Sequence, residues 1–281
     1  MAGLIDASGI SGKLDASNIV MQVLQKGVEL SNLQSLCQKV QIPELVGTIP
    51  VSAAPSVDED VLELEHSDIE TGAFTNIDFS LKKDRVKLGV SDEATYKSKA
   101  GDPLGIQTTA AGLQLANILD KKIIAALRTS PQTSDEASHW DTTTVNPLVA
   151  LSTAVTSILP YRADFVIMPP ALYAHYMATD LVKAAVTTIP AAYNGAIGKV
   201  PGLGLDIFVS SHCTANEAIV GSSTGYAAVI GNGPVKVRSW DAEDMGGRMY
   251  QIDVFRQVKA PIFLNSSSLN QSCYVLTALH S

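Results

Sequence analysis

Cysteine is scarce in this chain. Cys37, Cys213 and Cys273 are spread over 281 residues, with no CxxC pair and no Cys/His ligand spacing. That argues against a disulfide framework or a zinc site and predicts three reduced, buried thiols. His66, His139, His175 and His212 are scattered and form no i, i+4 pair for a metal. No apolar run approaches the ~18 residues that would suggest a membrane span. The first residues lack a basic region followed by an apolar run and a small-residue cleavage site, so the expectation is synthesis in a cytoplasm with no membrane partner. Positive charge is in deficit: 20 Lys and Arg face 28 Asp and Glu, a formal charge of −8, which weighs against a chain-wide nucleic-acid footprint. With 46% hydrophobic residues the chain is globular, and its length is near the point where single cores give way to two.

Catalytic signatures are equally thin. Gly221-Ser222-Ser223-Thr224-Gly225 matches the GxSxG nucleophile pattern, and Asp241 or Asp253 with His280 would complete a Ser, Asp, His order. A nucleophile elbow needs a strand before the serine and a helix after it. Here the residues after it read as a strand from Tyr226 to Ile230, and Gly231, Gly233 and Pro234 oppose a helix. Gly202-Leu203-Gly204 and Gly231-Asn232-Gly233 lack the third glycine of a dinucleotide fingerprint. Lys199 follows Gly198 without the rest of a phosphate loop. The expectation is no catalytic residue, no metal and no cofactor.

What the sequence does contain is one long helix around which the rest is organised. Asp102 is a good N-cap and Pro103 suits the first helical position, so a helix is predicted from Pro103 to Arg128, roughly 38 Å long. Gln107, Gln114, Asn117, Lys121 and Arg128 share a narrow stripe. Ile106, Leu113, Leu115, Ile118, Leu119, Ile123, Ile124 and Leu127 surround the rest, which predicts burial on most sides.

Before it, residues 1–16 are rich in Gly, Ser, Asp and Ala and need a partner or their own domain to hold them. Ser17 opens a helix carrying Ile19, Val20, Val23, Leu24 and Leu30, and Leu45 to Val57, punctuated by prolines, reads as extended chain. Phe74 to Lys82 and Val86 to Val90 read as two strands joined by a short polar turn, an arm of about 33 Å with too few apolar residues for a core of its own. After the long helix come a polar loop from Pro131 to Thr144, a helix opened by Asn146-Pro147 and stopped by Pro160, a buried strand Phe165–Met168 and a helix from Ala171 to about Thr188. Strands follow at 205–210, 217–220 and 226–230. A closing antiparallel set is predicted from 235–240, 249–257 and 274–279.

Two charge blocks flank the first of the arm strands. Asp58, Glu59, Asp60, Glu63, Glu65, Asp68 and Glu70 precede it, and Lys82, Lys83, Arg85 and Lys87 follow. They face each other within one subunit or between neighbours, or else form a solvated face. Exposed pairs contribute only about 0–1 kcal/mol each, so their use would be in orientation and partner choice.

Taken together, the order of these phrases resembles the HK97-type major capsid proteins of tailed viruses, from about Ser31 to the C-terminus. Ser31 to Ile42 followed by Ile49-Pro50 resembles that family's N-terminal arm, and the acidic stretch with Phe74 to Val90 its extended E-loop hairpin. Val90-Ser91-Asp92-Glu93 is similar to the phrase that follows that loop, and Pro103 to Arg128 resembles the spine helix. Asp164 to Pro169, Gly202 to Ser210 and Tyr226 to Gln257 ending in Ala260-Pro261 resemble the axial domain and closing strands.

The resemblance implies an α+β fold with an N-terminal arm over 1–45, an extended segment of the peripheral (P) domain over 46–67 and an E-loop over 68–100. It places P-domain residues with the spine helix at 101–161, an axial (A) domain at 162–234 and P-domain closing strands at 235–281. It implies a structural protein that assembles with itself into pentamers and hexamers around double-stranded DNA, contacted non-specifically. Portal and separate scaffold or cement proteins would be partners, in a virion assembled in the host cytoplasm. Only about thirty residues precede the matching region, so any scaffold is expected to be a separate protein or absent. Lys82, Lys83, Arg85 and Lys87, with Glu63, Glu65, Asp68 and Glu70, are the candidate inter-subunit residues. An encapsulin-type nanocompartment of the same fold and, more distantly, a serine hydrolase using Ser223 are the alternatives.

Overall fold

The computed structural model describes residues 16–52, 74–91, 103–129, 132–135, 139–140, 145–159, 161–185, 197–225, 227–242, 246–260 and 272–279. The arm before residue 16 and the acidic block Asp58 to Glu70 lie outside them.

The long helix forms as expected, as α2 (Pro103–Leu127), with proline in its first turn where no backbone N–H is needed. It bridges two sheets. Its first half, through Ala111 and Leu115, lies between α1 (Ala16–Leu30) and a four-stranded sheet, sharing a core with Ile19, Val23, Leu88, Tyr250, Ile252 and Val254. Its second half, through Leu119, Ile123, Ile124 and Leu127, packs on one face of a six-stranded sheet together with Phe165, Ile167, Phe208, Ile219 and Val275. The two helices cross closely at Gly112: a Cβ there would lie 2.6 Å from Cβ of Lys26 and 3.1 Å from the Gly27 nitrogen and the Val23 oxygen. Burial on most sides is not what is found. Ile106 is 69% and Leu113 52% exposed, on a stripe shared with Gln114, Asn117, Lys121 and Arg128. Apolarity alone could not say which face meets a neighbour.

The four-stranded sheet has the order β1 (Gln38–Gln41), β10 (Val229–Ala242), β11 (Gly247–Lys259), β4 (Lys82–Ser91). Two predicted strands, 226–230 and 235–240, are therefore one long β10, whose pairing with β11 shifts register between Asn232 and Val235. The irregularity absorbs Pro234, which could not donate to a regular ladder.

The predicted hairpin is also different. β3 (Phe74–Ser80) and β4 both exist, but only Leu81 separates them, and one residue cannot reverse a chain into antiparallel pairing. β3 instead pairs with β2 (Val46–Ser52), from Val46 opposite Ser80 to Ser52 opposite Phe74, in a two-stranded ribbon. β4 pairs with β11 over ten residues.

The six-stranded sheet runs β5 (Thr133–Asp135), β12 (Cys273–Thr277), β9 (Ala218–Gly221), β6 (Phe165–Met168), β8 (Asp206–Val209), β7 (Gly198–Lys199). β12 thus joins this sheet, against β9 and β5, rather than closing the set formed by β10 and β11. Its alternation was legible in sequence, but alternation does not name a partner. The polar loop from Pro131 likewise contributes the edge strand β5. Both faces of β6 are buried, Phe165 and Ile167 towards the spine helix, Val166 and Met168 towards α3 (Pro147–Ser157), α4 (Pro170–Ala178) and α5 (Asp180–Ala185). The Asn146 side chain caps α3 by accepting from the Leu148 N–H at 3.0 Å. The helix predicted from Ala171 to Thr188 is broken at Thr179, whose ψ of 132° is extended and whose hydroxyl donates to the His175 carbonyl.

Candidate subunit interface

The basic block is divided by strand parity. Asp84, Val86 and Leu88 point towards the spine helix, and with them Lys82. Lys83, Arg85 and Lys87 occupy the opposite face.

On the helix side, Asp84 is the centre of a buried ionic cluster. The Lys122 ammonium donates to both its carboxylate oxygens at 2.6 and 2.8 Å, and Arg256 Nε donates to one at 2.8 Å. Arg256 also donates to the Leu115 carbonyl at 2.6 Å. The side chains of Asp84 and Arg256 are 10% and 9% exposed. Beside the cluster a cleft of about 460 Å³ is lined by Lys82, Lys122, Arg256 and Lys259, with Ala125 and Val258 among its apolar walls. The cluster thus locks helix, β4 and β11 together.

On the opposite face, register arranges the side chains in rows. Lys236 of β10 lies across from Asp253 of β11, which lies across from Arg85 of β4, and the next row is Arg238, Gln251, Lys87. Arg85 donates to both oxygens of Asp253 at 2.7 and 3.2 Å. That hydrogen bonding holds the Asp253 carboxyl below the usual aspartate range, and Gln251 adds to it. The Lys236 ammonium lies 5.6 Å from the ring centre of Phe255, and Trp240 is 41% exposed one row further along. Lys236 and Arg238 were not among the residues singled out from sequence. The signal was present, because Val235 and Val237 alternate with them, but the alternation was read only for its apolar half.

The GxSxG segment forms a hydrogen-bonded turn. It follows β9, and its Ser223 N–H and hydroxyl both donate to the Asp164 carboxylate, while Gly225 N–H donates to Ser222 Oγ at 3.1 Å. A strand, β10, follows and no helix, so the elbow geometry is absent; Asp253 is committed to Arg85, and His280 lies outside the described residues. Lys199 meets Asp206 at 3.3 Å across β7 and β8, and Gly202 and Gly204 take the positive φ of 77° and 71° that their turn demands. None of the three cysteines is in a disulfide, all are buried, and burial pushes each thiol up to about 12. Among the described residues no cluster of ligating side chains could hold a metal, and no helix is long and apolar enough to cross a membrane.

A helix shared between a long-stranded sheet and a second, α-covered sheet, with a β-ribbon attached, is the architecture of viral capsid subunits. The chain superposes on the capsid of the cyanophage P-SCSP1u with a TM-score of 0.64 at 12% identity, covering 88% of this chain and 87% of that one. It superposes on a virus-like particle from Pyrococcus furiosus with a TM-score of 0.61 at 13% identity, covering 91% and 96%. The mature capsid of bacteriophage PhiM1 gives 0.59 at 9% identity, covering 88% and 86%. No curated protein matches the sequence. The family model of phage capsid proteins matches residues 78–260, more than half of the chain, and the chain belongs to that family. It is a structural major capsid protein with an HK97-like fold.

Proposed function

We propose that copies of this chain close into pentamers and hexamers and that these build an icosahedral shell around double-stranded DNA, assembled in the host cytoplasm. The observation that carries this is the β2–β3 ribbon. It pairs with no other described strand; Ile49, Ile77 and Phe79 pack with Ile42, Leu81 and Val229 of the same chain, while Val46 at its base is 66% exposed and Leu45 45%. A two-stranded ribbon is marginal in water by itself. Laid on a neighbour it would bury apolar area at roughly 25 cal/mol per Å². The exposed Ile106 and Leu113 of the spine helix and Val149 and Leu159 at α3 offer further apolar surface to neighbours. Many modest contacts repeated over a closed shell suffice without a single strong one.

In this reading residues 1–45 are the N-terminal arm, and the E-loop takes in the ribbon from β2 to β3 rather than 68–100. The P domain holds α2 and the four-stranded sheet. The A domain, proposed from sequence as 162–234, also takes β5 and β12. Portal and separate scaffold or cement proteins are its further partners. The role is non-enzymatic. Labelling by a fluorophosphonate probe that disappears in Ser223→Ala would overturn that.

Electron microscopy of the purified chain, with mass from light scattering, tests the assembly. Closed shells, or rings of five or six, are expected, and a uniform monomer or dimer would refute it. The contents decide between a virus and a cellular compartment of the same fold: the phage capsid family match favours DNA over packaged enzyme.

A further inference from the structure

β4 stops pairing with β11 at Lys82 opposite Arg256, and the chain crosses at Leu81 to β3, while β11 runs on through Gln257, Val258 and Lys259. The end of β11 therefore loses its neighbour on that side. Ser80 N–H donates to Gln257 Oε1 at 2.7 Å and keeps the departing β3 close to the strand end. The notch is walled by the last turns of the spine helix, and it is the cleft of about 460 Å³ beside the Asp84 cluster.

Four cations line this cleft, Lys82, Lys122, Arg256 and Lys259, and among the described residues no carboxylate does. Asp84, bonded to Lys122 and Arg256, offsets only part of that charge. Lys122 keeps an ammonium hydrogen beyond its bonds to Asp84, and Arg256 keeps its Nη1 hydrogens beyond those to Asp84 and the Leu115 carbonyl. Lys82 and Lys259 enter no ion pair among the described residues; the Lys259 ammonium has the Phe79 ring 5.9 Å away. In a chain of formal charge −8 this is a concentrated reversal of sign. The carbonyls of a helix C-terminus repel anions, but the Ala126 carbonyl already accepts from the Thr129 N–H at 3.1 Å and hydroxyl at 2.6 Å. Ala125, Ala126, Val258 and Ala260 supply apolar wall, so charges here attract at a lower effective dielectric than on the open opposite face of the sheet.

We propose that this cleft binds phosphate groups and that their source is the phosphodiester backbone of nucleic acid inside the shell. The source rests on the shell reading above, to which the cleft adds the residues that hold the polyanion. A lone carboxylate would bring one charge to four cations, whereas successive phosphates bring a charge and free oxygens each. Guanidinium and ammonium donors converging on one opening suit such a repeated oxyanion. The one amide in the cleft, Gln257, has its oxygen held by Ser80, so no complementary donor and acceptor pair faces a base edge and binding is independent of sequence.

The test titrates the purified full chain, freed of nucleic acid by nuclease and high salt, with a short fluorescent DNA duplex over a series of salt concentrations. Lys82→Gln with Lys259→Gln, which spares the Asp84 cluster, should weaken binding about tenfold or more at low salt and lower the slope of log K against log salt by about 2. Lys82→Arg with Lys259→Arg should bind as the unaltered chain does. Lys87→Gln with Arg238→Gln removes the same charge from the opposite face of the sheet and should leave the slope unchanged.

Equal binding by the unaltered chain and the Lys82→Gln, Lys259→Gln variant, or an equal loss from the opposite face, overturns the site. If inorganic phosphate binding depends on Lys82 and Lys259 while duplex binding does not, the cleft is a small-anion site and the nucleic-acid source is wrong. Polyglutamate that binds as tightly as the duplex with the same dependence on both lysines would assign the cleft to an acidic protein segment and refute the proposal equally. Binding is counted per chain and is read whether or not particles form. Absence of particles from the unaltered chain therefore strikes the shell reading, and insensitivity of duplex binding to the two lysines strikes the cleft.

Discussion

Replacing Asp84 by alanine tests whether the spine helix is fastened to its sheet by charge or by apolar packing alone. Asp84 neutralises Lys122 and Arg256, whose side chains are 28% and 9% exposed. Removing one member of a buried ionic cluster leaves its partners uncompensated and costs about 3–5 kcal/mol. Arg256 retains its bond to the Leu115 carbonyl and Lys122 retains some water, which places the expected loss at the lower end. For a chain of this size about 3 kcal/mol corresponds to a fall in melting temperature of roughly 6–10 °C. Thermal and urea unfolding followed by circular dichroism, with wild type and variant in the same assembly state, would measure it. The combined variant Asp84→Leu, Lys122→Met, Arg256→Met should recover to within about 1 kcal/mol of wild type, because a well-packed apolar replacement removes charge and partner together. A loss below about 1 kcal/mol in Asp84→Ala would place the cluster with ordinary surface pairs and refute the reasoning.

Gly112→Val should part α1 from α2, since its Cβ would meet backbone atoms of Gly27 and Val23 at 3.1 Å. The loss of about 1–3 kcal/mol from overpacking outweighs the gain of up to about 1 kcal/mol in helix propensity, and limited proteolysis should then cut within residues 16–30; an unchanged digestion pattern would contradict this. With thiols pushed up to about 12 and buried, Cys37, Cys213 and Cys273 should resist Ellman's reagent at pH 8 in the native state and react after denaturation. Rapid reaction of the native protein would place a thiol at the surface. Asp253 titrates below its unfolded value because Arg85 hydrogen-bonds to it, so its contribution is present above about pH 4 and fades as pH falls further. Arg85→Met should weaken that dependence, leaving only what Gln251 supplies, and identical acid unfolding curves for the two proteins would show the pair to be inert.

The sequence by itself determined the elements whose signals are local. Pro103 and the apolar positions after it set the spine helix, and Asn146-Pro147 set the start of α3. Strict alternation set β11, and the charge blocks were visible as composition. Strand partners were not determined, because hydrogen bonding in a sheet depends on which edge is free and not on the strand's own alternation. Hence β3 took β2 instead of β4, and β12 joined β9 in the other sheet. Phe74 to Val90 read as a hairpin because two alternating runs stood near a polar Lys83-Asp84, although the chain crosses between sheets at Leu81. The candidate interface was half legible for the same reason. Lys83, Arg85 and Lys87 stood out as a run, but only register could separate Lys82 from them and bring Lys236 and Arg238, some 150 residues away in sequence, onto the same face. Only packing, likewise, decided that the apolar Ile106 and Leu113 face outward. Hydropathy measures a residue's cost in water, and the geometry of neighbouring elements decides whether that cost is met within the chain or by another copy of it.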